Sequence, residues 1–201
     1  MSKELSEMTL EELWELFPII LSEHKDCWKV WYQEEAARIA SFLPVKDMRI
    51  SHIGSTAITG LRAKPIVDIL LEIPADSSMD HVKHLLTDNG YICMSEGDRR
   101  KSFNRGYTKN GFARRVFHLH LRYRGDNDEL YFRDYMNDHT EIAKEYEALK
   151  LSLWKKYEKN RDAYTDAKAD FVKLYTERAK KDYKNKVLYE RNLPPERKSR
   201  E

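Results

Sequence analysis

Apolar positions along the chain change period more than once, and each change marks an element. Thr9 stands three residues before Glu12, the spacing of a capping box, and Leu10, Leu13, Trp14 and Phe17 follow at helical intervals. A short first helix is predicted. Pro18 ends it, because the residue before a proline is driven out of the helical region, leaving 18–22 extended. Asp26 is placed to cap a second helix, in which Trp28, Trp31, Tyr32, Glu35, Ile39, Phe42 and Leu43 keep the helical period until Pro44 stops it.

From Met48 the period falls to two. The runs MRISHI, PIVDILLEI and YICM, and RRVFHLHLRY after a glycine-bearing stretch around Gly106 and Gly111, read as four strands. Between the second and third, Met79, Val82, Leu85 and Leu86 return to helical spacing, and Gly90 marks that helix's end. Past Gly125 three more helices are expected, at 128–138, 140–158 and 162–181, with short connections that favour antiparallel packing. In the last of them Tyr164, Lys168, Phe171 and Tyr175 form one stripe, so Lys168 is a cation on an otherwise apolar face. Such a lysine either snorkels to solvent or points into a cleft.

The expected class is α+β, a small mixed sheet flanked by helices at both ends. A single domain is expected over 1–181, divided into an N-terminal helical segment 1–44, a sheet core 45–125 and a helical segment 126–181. A charged tail, 182–201, follows; it carries Pro194 and Pro195 and no sustained period, so its removal should leave the fold intact.

Composition narrows the function. At 201 residues, 41% hydrophobic and 35% charged, the chain can bury one sizeable core, and 11% aromatic residues set it apart from disordered chains. It has no apolar run long enough for a membrane span and begins without the basic start of a signal peptide, which points to the cytoplasm and no membrane partner. Cys27 and Cys93, without a paired motif, suggest neither a disulfide framework nor a zinc site. Lys and Arg number 36 against 34 Asp and Glu. This near balance, and the absence of a recognisable nucleic-acid module, argue against a nucleic-acid partner. Between Glu96 and Arg124, however, nine basic residues meet two acidic ones and are interleaved with Phe103, Tyr107, Phe112 and Phe117. That segment is either a solvated face or one wall of an anion-binding cleft.

The chemistry concentrates in HIGSTAITGLRAKPIVDILLEI, His52 to Ile73. A strand runs into the Gly54–Ser55–Thr56 turn, where glycine permits close backbone approach and hydroxyls and free amides can donate to a phosphate. Asp68 lies among Ile66, Val67, Ile69 and Leu70 in a strand that reads as buried on both faces. A carboxylate there needs a cation, a metal or several donors, an ordinary salt bridge being the plainer choice. Alternation puts His118 and His120 on one face of their strand, either within reach of an ion or packed in the core. Glu72 shares the face of Asp68 but lies roughly 13 Å along the strand, a poor second ligand. Arg62 and Lys64 beside the turn, and Arg100 and Arg105 across the glycine-bearing stretch, are candidate phosphate contacts. Arg133 and Asp134 are adjacent on a helix, as a solvated pair or a site pair.

The segments HIGSTAITGLRAKPIVDI, FHLHL, FRDYM, EYEALK and YTDAKADF, in that order, resemble the GrpB family of predicted nucleotidyltransferases within the polymerase-β-like superfamily. The likeness runs from about His24 to Val172 and leaves out the first helix and the tail. It implies a mixed sheet of the nucleotidyltransferase type and a cleft for a nucleotide or other phosphorylated small molecule. Gly54, Ser55, Thr56, Lys64, Arg100 and Lys168 would bind phosphate; Asp68, His118 and His120 would be catalytic; and a divalent metal, Mg or Mn, would sit at Asp68 and His120. Superfamily chemistry uses carboxylates at alternate positions of one strand and a third on its neighbour to hold two metals around an in-line displacement. Here the alternate position is Leu70, and the neighbouring strand brings histidines. Two functions stay open: nucleotidyl transfer to an unknown acceptor, and a non-catalytic ligand- or protein-binding domain on a degenerate site.

Overall fold

Thr9 and Glu12 do close a capping box, each side chain accepting from the other's backbone amide, and they start α1 (Leu10–Leu16). In the computed structural model, which describes residues 3–158 and 160–183, the chain then runs extended to α2 (Cys27–Phe42). Asp26 does not cap α2 as expected. Its own backbone is helical, φ −57° and ψ −26°, so its carboxylate makes no cap bond. Residues 184–201, most of the expected tail, lie outside the described residues.

The sheet has five strands, β1 (Arg49–Ile53), β2 (Val67–Ile73), β3 (Ile92–Glu96), β4 (Arg100–Thr108) and β5 (Gly111–Tyr123), in the order β1-β2-β5-β4-β3. The β2–β5 pair is parallel and the other three are antiparallel. β4 replaces what reads in the sequence as a loop. Of its nine residues only Lys101 and Phe103 are buried, so it lacks the apolar alternation that betrays a strand. Gly106 interrupts it at φ 92°, where the register shifts between Arg105 and Tyr107. A Cβ at Gly106 would stand 3.1 Å from the Val116 Cα, and this close approach of two backbones is what the glycine serves.

α3 (Met79–Asp88) is capped by the Ser78 hydroxyl and joins β2 to β3. After β5 come α4 (Asp128–Asp138), α5 (Thr140–Lys156), α6 (Arg161–Asp166) and α7 (Ala169–Asp182). The helix expected over 162–181 is thus broken at Ala167–Lys168. Lys168 sits at the break rather than on a continuous stripe.

α2 and α3 cover one face of the sheet, burying Trp28, Ile39, Val82 and Leu86 against Val67, Ile69, Leu71, Phe103, Phe117 and Leu119. Each such side chain contributes about 1.5–3 kcal/mol when fully buried. On the opposite face the C-terminal helices form a second cluster around Ile58, Phe132, Tyr135, Tyr146 and Tyr175, and Leu70 is closed between Ile53 and Leu130. Period-two alternation leaves the rest of that face, from Asp68 toward β3, looking into a cleft. No helix among the described residues is long and apolar enough to cross a membrane.

Candidate functional site

One row of side chains crosses all five strands. Ile53 pairs with Asp68, Asp68 with His118, His118 with Asn104, and Asn104 with Ile92. All five line a single cavity of about 710 Å³, with α1 on one side and α6, Lys168 and α5 on the other.

Asp68 anchors the row. His118 Nδ1 lies 3.3 Å from its Oδ1, and His120 Nε2 lies 3.9 Å from the same atom. Burial opposes the charge on Asp68, but the neighbouring His118 and then His120 imidazoles outweigh it and hold the carboxyl well below the ordinary range. Burial pushes the His118 imidazole down despite Asp68, so the ring is neutral at pH 7. A neutral ring that donates Nδ1–H to Asp68 must accept at Nε2, and the Tyr107 hydroxyl stands 2.8 Å from that atom. Tyr107 in turn accepts from Arg161 Nη2 at 3.1 Å. Burial raises the Tyr107 phenol, keeping its proton. The chain Arg161–Tyr107–His118–Asp68 is thus satisfied with one consistent set of protons.

Gly54 enters at φ 69°, and a Cβ there would meet Asp68 Cβ and Cγ at 2.9 Å. The glycine is therefore required by Asp68 itself, before any ligand is considered. Ser55 also faces the cavity. Thr56 does not: it turns inward to His52, its hydroxyl 3.0 Å from Nε2, and burial drives His52 down to about 4.

Three lysines crowd the other side. Burial lowers Lys64 to about 7, Lys150 to about 7 and Lys168 to about 8, with mutual repulsion adding to the fall of Lys64 and Lys150. Lys64 and Lys168 both contact the Tyr164 ring, 5.5 and 4.2 Å from its centre. The Lys150 ammonium donates to the Arg62 carbonyl. Among the described residues neither Lys64 nor Lys168 has a carboxylate within ion-pair distance, and the charge that Asp68 offers them is already shared with imidazoles.

Of the residues expected to act together, Gly54, Ser55, Lys64, Asp68, His118, His120 and Lys168 meet at this cavity. Arg100 does not. It stands at the N-terminal end of β4, four residues from Asn104, forked onto Asp126. Arg62 pairs with Glu23, and Arg105 with Glu35. Arg133 and Asp134 are a buried pair rather than a solvated one, and Arg133 donates to the His52 carbonyl at 2.8 Å, tying α4 to β1. Glu72 accepts from the Gly125 amide and from Asn127, away from Asp68. Sequence reasoning missed Asn104, Lys150 and Arg161, and placed Tyr107 only within the basic, aromatic segment 96–124. Lys150 carried a signal: Ala143, Tyr146 and Lys150 form the buried stripe of α5, a lysine among apolar neighbours.

The divalent metal that the resemblance implies does not fit these donors. Leu70 is fully buried between apolar neighbours, so Asp68 has no second carboxylate on its strand, and the His118 nitrogens face Asp68 and Tyr107. Among the described residues no group of three or more His, Cys, Asp or Glu is arranged to hold a metal ion.

The family model described as "GrpB protein" matches residues 18–178. The Glutamate-rich protein GrpB of Alkalihalophilus pseudofirmus is 32% identical over 160 residues, 77% of this chain and 91% of that protein. YqkA of Bacillus subtilis is 32% identical over 166 residues, 81% of this chain but 47% of that protein, so the chain spans about half of that relative's length. The crystal structure of conserved protein GrpB from Enterococcus faecalis superposes with a TM-score of 0.71 at 26% identity, covering 82% of this chain and 99% of that one. These agreements extend across the sheet, the Gly-Ser turn and the C-terminal helices, and the chain belongs to the GrpB family.

Proposed function

We propose that the cleft binds a nucleotide or related phosphate ester, with the anionic group between the Gly54–Ser55 turn and the ammoniums of Lys64, Lys150 and Lys168. The observation that carries this reading is the depression of all three lysines around one cavity. A protein that holds three ammoniums partly desolvated, with so little counter-charge, is stabilised by an anion that restores it. The phosphate pairs with the ammonium charges and keeps the lysines protonated, and the Asp68–His118–Tyr107–Arg161 chain fixes the opposite wall without itself needing to ionise further.

Binding is favoured over transfer. Two-metal nucleotidyl transfer needs carboxylates that this strand pair lacks, since Leu70 occupies the alternate position. One observation supports the transfer reading: Asp68, His118 and His120 converge on one point beside the Gly-Ser turn.

A thermal-shift series with nucleotides, pyrophosphate and coenzyme A precursors, each in chelator and with Mg²⁺ or Mn²⁺, separates the two. A ligand at ~100 times its dissociation constant stabilises by about 2.7 kcal/mol, a shift of several degrees. Stabilisation in chelator is expected. Stabilisation confined to the metal arms, with pyrophosphate released from a nucleoside triphosphate, would favour transfer instead.

A further inference from the structure

The cavity is longer than a phosphate site. Its floor runs from Asp68 through His118 and Asn104 to Ile92, three strand spacings or roughly 14 Å. The lysines stand at one end. At the other end the floor is apolar and open, Ile92 being 44% and Met94 58% exposed. α1 turns its apolar side into the same cavity: Leu10, Leu13 and Trp14 line it, followed by Phe17, yet no residue of α1 is fully buried. A helix that aims its apolar side at a cavity and leaves Leu13 and Trp14 only half-buried there has apolar surface still to cover. Between the two apolar surfaces, in the floor, lies the Asn104 side-chain amide, which bonds to no other described residue. Asparagine there offers a donor and an acceptor side by side.

We infer that the cavity takes a phosphate ester carrying a nucleobase, the ring lying between α1 and the Ile92–Met94 surface with its polar edge on Asn104. This rests on the phosphate-binding reading and adds the ligand's other end. Continuity of the floor with the lysine end sets the distance, and a nucleoside phosphate has a flat, partly apolar ring at about that reach from its phosphate. α1 lies outside residues 18–178, which the family model matches, and forms one wall of the cavity. It is therefore a specificity-determining element, with Trp14 and Leu13 gripping one face of the ring and Asn104 choosing among rings.

The test is calorimetry on the full chain in chelator, with pyrophosphate, ribose 5-phosphate, adenosine, guanosine and uridine diphosphates, and dodecyl phosphate. At least one nucleoside diphosphate should bind about tenfold or more tighter than pyrophosphate, the scale of one stacked base. Leu13→Ala with Trp14→Ala should erase that gain and leave pyrophosphate binding unchanged; no side chain of α1 is fully buried, so the fold tolerates the change. Asn104→Ala should level the differences among the three nucleosides. If pyrophosphate itself does not bind, the phosphate reading fails and this one with it. If pyrophosphate binds but every nucleoside diphosphate is within twofold of it, or the α1 variant keeps the gain, the nucleobase end is wrong while the phosphate end stands. Dodecyl phosphate binding tighter than any nucleotide would likewise overturn the nucleobase in favour of an alkyl chain.

Discussion

Asp68 and His118 are side by side because β2 and β5 pair in parallel with those two residues in register, which brings His118 Nδ1 to 3.3 Å from Asp68 Oδ1. Two segments fifty residues apart in the chain thereby share one proton arrangement, and the rest of the site is organised around it.

Asp68→Asn keeps the volume and removes the charge that faces Lys64 and Lys168. Loss of a charge-assisted bond of this kind costs about 1.5–3 kcal/mol. The parent's Asp68 carboxyl is held below its unfolded value, so its contribution is present above about pH 4 and lost as pH falls below that. Urea denaturation from pH 3 to pH 7 should therefore show the variant less stable at pH 7 and converging on the parent in acid. A variant equal to the parent at pH 7 would remove Asp68 from its anchoring role.

Lys168→Met should act in the opposite sense on stability. The ammonium is held against burial, so an apolar replacement should raise the melting temperature of the ligand-free protein by about 2–4 °C for each kcal/mol gained. The same change should weaken pyrophosphate binding about tenfold. Calorimetry beside thermal melts reads both. A variant that melts lower and binds as well as the parent contradicts this account of Lys168.

The pH dependence follows from three bases whose folded values lie below that of a free lysine. Between about pH 7 and pH 10 the unfolded chain holds protons that folded Lys64, Lys150 and Lys168 have released. Stability of the ligand-free protein should accordingly rise with pH over that window. Affinity for sulfate, whose own charge is constant there, should fall over the same window as the lysines lose theirs. Sulfate binding that is flat from pH 6 to pH 9 would place the anion elsewhere.

Gly54→Ala introduces a side chain at φ 69° that collides with Asp68. The expected loss is about 1–3 kcal/mol, with the His118 imidazole displaced from its partner. A melting curve and the His118 ring resonances in the NMR spectrum test both parts. An unshifted His118 in a folded variant would show that the turn has room the geometry denies it.

Much of the site was legible because it lies on strands with clean alternation. Asp68 in an apolar run and His118 with His120 on one strand face are period-two signals, and the parallel pairing joins them. What stayed hidden depended on β4. Its charged residues and Gly106 read as a loop, so Asn104 and Tyr107 had no strand to place them on the cleft floor. Without β4 as a strand Arg100 could not be placed at its N-terminal end, where Asp126 holds it. The break at Ala167 was equally unreadable, since Tyr164, Lys168 and Phe171 keep helical spacing across it. Lys150 needed no structure, given the weight placed on Lys168 for the same pattern.

The central claim is that the lysines of this cleft bind a phosphate group without a metal. Titration of pyrophosphate in chelator into the intact chain and into a Lys64→Gln, Lys168→Gln variant tests it most directly. The account predicts saturable one-to-one binding by the intact chain and a loss of at least a hundredfold in the double variant, which should remain folded and melt no lower than the parent. Binding that requires added Mg²⁺ or Mn²⁺, or that survives both substitutions undiminished, would contradict it.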